Sequence, residues 1–213
     1  MDPSPRLSYA TYPAAPAVLE EVCAAGPGDL ATAFAFALSR APAAVRPVVF
    51  LAAPRAWLAE HGRPYGRGLP GIDLLLAVTN TGAEALWAME QALRSGAVTV
   101  ALGGGEAVSL VQSRRLEFAA REGGTAGVML RDRPGGLSAA RRRWRIMPAP
   151  SAVEPADLRA PGAGRLWAEL VRSRSERPGV WMLEQADETH RLRLVDRLAG
   201  DGPDAIGRTT LAA

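Results

Sequence analysis

Apolar residues fall along this chain in two rhythms. Short unbroken runs recur at VLEEVC (18–23), PVVFLAA (47–53), IDLLLAV (72–78), VTVALGG (98–104) and TAGVMLR (125–131). Between several of them the spacing lengthens to that of a helix. Leu30, Phe34 and Leu38 repeat every four residues within 29–40, and Leu86, Met89 and Leu93 share one face of 83–95. A further helix is predicted at 107–122. Strands without polar alternation, separated by helices, predict a mainly parallel α/β sheet covered on both faces over residues 18–130.

After residue 130 the pattern changes. RDRPGGLSAA reads as a loop, RRRWRIMPA as a basic strand, and the proline-rich stretch to about 164 as a connection. RLWAELVRSR and GVWMLEQ, joined by SERP, predict an antiparallel hairpin. These strands, over 141–186, complete an α/β domain predicted to span 1–186. From 187 to 213 an amphipathic segment and a mobile tail are expected. There RLRLVDRLAG places Leu194 and Leu198 on one helical face, and with Leu192 and Val195 it is a candidate for docking into a partner's groove.

Composition narrows the chemistry. The chain has 213 residues and 48% hydrophobic content, with no apolar run long enough for a bilayer. The start, MDPSPRLSYATYP, lacks the apolar core of a signal peptide, so the cytoplasm is the expected compartment. One cysteine and two distant histidines, His61 and His190, exclude a disulfide framework and a zinc cluster. All 25 basic residues are arginine. A phosphate-loop lysine, a Schiff-base lysine and a lysine general base are therefore impossible.

That absence matters at CAAGPGDLATAF (23–34), where a strand, a glycine-bearing turn and a helix follow one another as in a nucleotide site. A phosphate loop needs G-x-x-x-x-G-K-[ST], with amides on the phosphates, a lysine for their charge and a hydroxyl for magnesium. Started at Ala24, the fixed positions hold Ala24, Asp29, Leu30 and Ala31. Started at Gly26, they hold Gly26, Ala31, Thr32 and Ala33. Gly28 supplies flexibility in either register, and neither supplies a cation. Asp29 would repel a triphosphate while capping the helix well.

The motif order resembles RecA. TGAEALWAMEQALRSGAVTVALGGG (81–105) carries the RecA-like TG, AL and RSGAV pattern, EEVCAAGP its loop start, RPVVFLAAPRAWLA its next strand, and GGLSAARRRWRI the end of its DNA-binding loop. The likeness covers about 18–147. The terminal hairpin VRSRSERPGVWMLEQ makes the chain more specifically similar to ImuA, the RecA-like SOS mutagenesis accessory family. The resemblance implies a RecA-like sheet with a C-terminal hairpin extension. It places the family's water-activating glutamate at Pro54, its Walker B aspartate near Gly103, with Glu106 a distant substitute, and its γ-phosphate sensor near Arg131. No catalytic residue, cofactor or metal is then expected, since each missing part supplies a separate share of phosphoryl-transfer stabilisation. The implied role is a non-catalytic adaptor in error-prone translesion DNA synthesis, binding a polymerase-like ImuB partner and, as a further candidate, RecA. The alternatives are a SulA-like cell-division inhibitor and a RecA-like DNA-dependent ATPase with unusual site residues.

Arg131, Arg133, Arg141, Arg142, Arg143 and Arg145 surround Trp144. They are candidates for DNA or partner contact, against the blander reading of a strand with Trp144 and Ile146 facing the core and Arg143 and Arg145 facing water. Arg114 and Arg115 are expected to pair across their own helix surface. His61 is placed in a Gly/Pro-broken loop, and Trp167, Trp181 and Met182 are read as closing the core's edge, with partner anchoring as the alternative.

Overall fold

The computed structural model describes residues 11–16, 18–26, 28–41, 46–105, 108–132, 135–157, 159–186 and 191–195. Arg133, Glu106 and Leu198 lie outside them, as does most of the predicted tail.

Each predicted apolar run forms a strand. These are β1 (Leu19–Ala24), β2 (Val48–Pro54), β3 (Asp73–Thr79), β4 (Val100–Gly104) and β5 (Ala126–Arg131). Helices α1 (Leu30–Ser39), α3 (Gly82–Ser95) and α4 (Leu110–Gly123) match the three helical rhythms. A further α-helix, α2 (Arg55–His61), follows β2 directly, so His61 is the last residue of a helix and not a loop residue. Proline at 54 ends β2 without blocking α2, because a helix start needs no N–H there. The chain then adds β6 (Arg142–Ala149), β7 (Arg165–Ser173), β8 (Gly179–Gln185) and β9 (Leu192–Leu194).

Among the described residues nine strands form one sheet, in the order β3-β2-β4-β5-β1-β6-β7-β8-β9. Pairings from β3 through β6 are parallel, and those from β6 to β9 are antiparallel. Residues 192–194, expected to be helical, pair instead with β8. Alternation in RLRL fits an edge strand as well as a short helix, and the unsatisfied backbone of β8 decides between them.

Two apolar layers sandwich the sheet. On one face α1 packs Phe36 and Leu38 against Val22, Trp144, Ile146 and the hairpin residues Leu170, Trp181 and Leu183. On the other, α3 and α4 pack Met89, Leu93 and Leu116 against Leu19, Ala101 and Met129. The two hairpin tryptophans behave as edge-of-core residues, with Trp167 and Trp181 only 6% and 5% exposed.

The helix ends follow local chemistry. Ser109 and Gln112 close a reciprocal capping box on α4, and Thr81 accepts from the Glu84 N–H on α3. Gly96 and Gly124 end these helices in the left-handed conformation, where a side chain would be strained.

Candidate functional site

The turn after β1 lies where a phosphate-binding loop was predicted, between the buried strand Leu19–Ala24 and the first turn of α1. Gly28 takes a φ of 94°, which only glycine adopts readily. A Cβ on Gly26 would sit 3.3 Å from Asp29 Oδ2, so the Asp29 carboxylate folds back over the turn. It caps nothing: its side chain makes no hydrogen bond to the start of α1, contrary to the sequence expectation. Leu30 is buried, Ala31 is exposed and Thr32 half-buried.

The neighbouring strand ends contribute no ammonium either. Pro54 closes β2, and Gly103 and Gly104 close β4. Trp57 of α2 lies against Gly104, where a Cβ would come 3.0 Å from its ring, and stacks edge-on with His61 at 4.9 Å. Pro54, Trp57, Glu60, His61, Asn80 and Asp132 are among the residues lining an open hollow of about 430 Å³ beside this tryptophan. Against the first turn of α1, Leu30, Ala31, Phe34, Leu51, Trp57, His61 and Arg63 are among those lining a smaller, mainly apolar hollow of about 170 Å³. Carboxylates on one side and hydrocarbon on the other make a poor cradle for a polyphosphate. Among the described residues no cluster of three or more His, Cys, Asp or Glu side chains could hold a metal ion.

Charge is concentrated instead one step earlier, on β1. Glu20 and Glu21 are both fully buried and, by strand alternation, face opposite sides of the sheet. In the parallel register Glu20 lies beside Arg142 and Glu21 beside Arg143. On the α1 face, Glu20 accepts from Arg40 Nε at 2.9 Å, Arg40 Nη2 at 3.0 Å, Arg142 Nη1 at 3.0 Å and Trp144 Nε1 at 3.0 Å. Arg40 also donates to the Tyr12 hydroxyl and to the carbonyls of Pro13, Ala14 and Ala15. All its nitrogens are engaged, and the N-terminal segment is pinned to the core. Tyr12 then packs edge-on against Trp181 at 5.8 Å, and burial raises its phenol pKa.

On the opposite face, Glu21 accepts from Arg131 Nη1 at 3.0 Å, Ser138 Oγ at 2.6 Å and Arg143 Nη2 at 2.9 Å. Here the connection from β5 to β6 covers β1 in place of a helix, with Ala139 and Ala140 buried. Cys23, beside this cluster, has its thiol pKa pushed up to about 12 by burial and by the Glu21 charge. It is a core residue and not a nucleophile.

This geometry divides the six candidate arginines. Arg131, Arg142 and Arg143 point inward onto buried carboxylates. Arg142 also reaches Glu176, whose pKa falls to about 2, chiefly through that hydrogen bond. Arg145 pairs with Glu169 at 2.5 Å and remains half exposed. Arg141 lies at the surface beside Glu117 of α4. Trp144 is 0% exposed, so it stacks on protein and on no base. Arg115 pairs with Glu90 of α3 at 2.7 Å, across to the next helix and not along its own. Leu192 packs partly buried against the core while Leu194 is 47% exposed, both in a strand and not in the helix expected there.

Glu20, Glu21, Arg40 and Tyr12 did not stand out in the sequence. Their signal was present: two glutamates inside a run predicted to be buried on both faces require cationic partners, and the RRRWR strand supplies them at the matching alternation.

Fold and site together define an α/β protein whose described strands form a mixed nine-stranded sheet, flanked by helices, with a strand-turn-helix site that carries no lysine. Over 149 aligned positions the chain is 40% identical to the protein ImuA of Caulobacter vibrioides, a match covering 63% of this chain. The same match is found in two strains, and the aligned stretch is of ImuA type. The chain spans 60% of the length of these relatives. It is also 33% identical over 89 residues to the cell division inhibitor SulA of Edwardsiella piscicida, covering 39% of this chain and 53% of that one. The crystal structure of SulA from Pseudomonas aeruginosa superposes on 55% of the chain and all of its own, at 26% identity and a TM-score of 0.42. No protein-family model matches the sequence. No helix among the described residues is long and apolar enough to cross a membrane.

Proposed function

We propose that this protein is a RecA-like, non-catalytic adaptor in SOS-induced error-prone translesion DNA synthesis, acting in the cytoplasm by binding an ImuB-type polymerase-like partner. The observation that carries the reading is the 40% identity to ImuA. The parallel strands, with β1 central and its turn opening α1, support the RecA-like part. The emptied turn supports the non-catalytic part, because phosphoryl transfer depends on positioning and charge neutralisation that these residues do not supply. RecA is the second proposed partner.

The test is a pull-down of the purified chain with an ImuB-type protein and with RecA, repeated in ATP, in ADP and without nucleotide. Capture in every nucleotide state is expected. Absence of capture by either partner in all three states overturns the adaptor reading. Turnover of ATP with magnesium that is abolished by altering the turn would overturn the non-catalytic one.

The SulA match favours a second reading, inhibition of cell division through a tubulin-like protein. Overexpression discriminates them. Filamentous cells with direct capture of the division protein would replace the adaptor reading.

A further inference from the structure

The structure assigns a single-stranded nucleic-acid site to the surface formed by the C-terminal half of α4 and the neighbouring ends of β6 and β7, away from the turn after β1. Helices between parallel strands run back against them, so the end of α4 lies beside the start of β6. One carboxylate organises this surface. Glu117 Oε1 lies 2.9 Å from Arg121 Nη2, 3.2 Å from Arg141 Nε and 3.7 Å from Arg174 Nη1. Three guanidiniums thus share one buried negative charge. Arg174 also donates to the Ala139 carbonyl, and Arg172 donates to those of Ser138 and Ala140, contacts that cancel no charge. Four arginines against one glutamate leave an excess positive charge at a place where they remain reachable: the side chains of Arg121, Arg141 and Arg174 are 46%, 36% and 52% exposed.

An aromatic face stands beside them. Phe118 is 65% exposed, and on the helix it is flanked by Arg114 four residues before and Arg121 three residues after. An exposed phenylalanine among guanidiniums offers a free aromatic face for stacking. It matches the pairing that single strands require, phosphates on cations and bases on an aromatic face. Arg121 is also held by its partner at i−4, so its fork is oriented in advance. The site differs from the strand track expected at β6, because Arg142 and Arg143 turn inward there. It does not depend on the adaptor reading, and either can fail alone.

The experiment is fluorescence anisotropy of a labelled dT oligomer titrated with the full chain at several salt concentrations. Binding is expected to weaken with salt. The double variant Arg121→Ala/Arg174→Ala should lower the slope of log K against log salt by about 1.4, at about 0.7 per phosphate contact. Phe118→Ala should weaken binding at least about five-fold with the slope unchanged. Far-UV circular dichroism and thermal unfolding verify that each variant is folded, and Phe118→Ala, altering an exposed position, keeps the test open if the double variant is not. Arg145→Ala, removing an exposed arginine outside the cluster, should change nothing. No binding of the oligomer at about 50 mM salt overturns the assignment. So does an effect of Arg145→Ala equal to that of the double variant. Competition by polyglutamate at equal charge, with no effect of Phe118→Ala, would reassign the surface to an acidic protein partner.

Discussion

Strand β1 and the turn that follows it are contiguous in sequence and opposite in their handling of charge. The strand buries two carboxylates and surrounds each with two arginines, while the turn carries one aspartate whose side chain makes no bond to the helix it precedes. A nucleotide site would need the reverse arrangement, with cations exposed at the turn and hydrocarbon in the strand. The difference teaches where positive charge acts in this molecule. It crosses the sheet and holds β1, β6 and the N-terminal segment together.

Removing a strand carboxylate should therefore give the largest effects. Glu20→Ala leaves Arg40, 1% exposed, and Arg142, 10% exposed, without their buried counter-charge. The expected loss is about 3–5 kcal/mol, read from urea unfolding. Glu21→Ala should fall at the low end, about 3 kcal/mol, because Arg143 is 16% exposed and water can reach it. Equal costs at the two positions would break the asymmetry between the faces, and a loss below about 1 kcal/mol at Glu20 would remove the structural role given to the network.

Glu176 extends the same network to the surface, through Arg142 and the Ser173 hydroxyl. Its folded pKa of about 2 lies below the unfolded value of about 4.3, so the folded state favours the ionised form. The stabilisation is fully present above the unfolded pKa and is lost as pH falls through the folded one. The Tm difference between the parent and Glu176→Gln should be constant above about pH 5 and should shrink toward pH 2. A difference independent of pH over that window would show that the carboxylate charge contributes nothing.

The parallel half of the fold was legible because its strands carry their apolar rhythm locally. Leu86, Met89 and Leu93 announce α3 before any contact is known, and Met89 and Leu93 are indeed fully buried. Helix α2 escaped notice because RAWLAEH is one short stretch between a proline and a glycine, with only Leu58 buried. At β9 the period of two in Leu192 and Leu194 competed with a helical reading, and only a neighbouring strand could decide it. The arginine cluster around Glu117 was hidden for a different reason. Glu117 and Arg121 pair at i, i+4 along α4, but Arg141 and Arg174 join them only after the sheet has formed, so no spacing in the chain could bring those two in.

The smallest effects belong to the two helix starts, and they test the turn itself. Ser109 caps α4 through the Gln112 N–H while Gln112 returns a bond to the Ser109 N–H, so Ser109→Ala should cost about 1 kcal/mol. Asp29 occupies the equivalent position on α1 without such a bond, and its carboxylate folds over Gly26 instead. What remains is its charge near the positive end of the helix, partly screened by solvent. Asp29→Ala should therefore cost no more than about 0.5 kcal/mol, half the loss at Ser109 or less. A loss equal to that at Ser109 in chemical unfolding would mean that Asp29 caps α1 after all. The turn would then be an ordinary helix cap, and its lack of cations would follow from helix stability instead of a lost ligand.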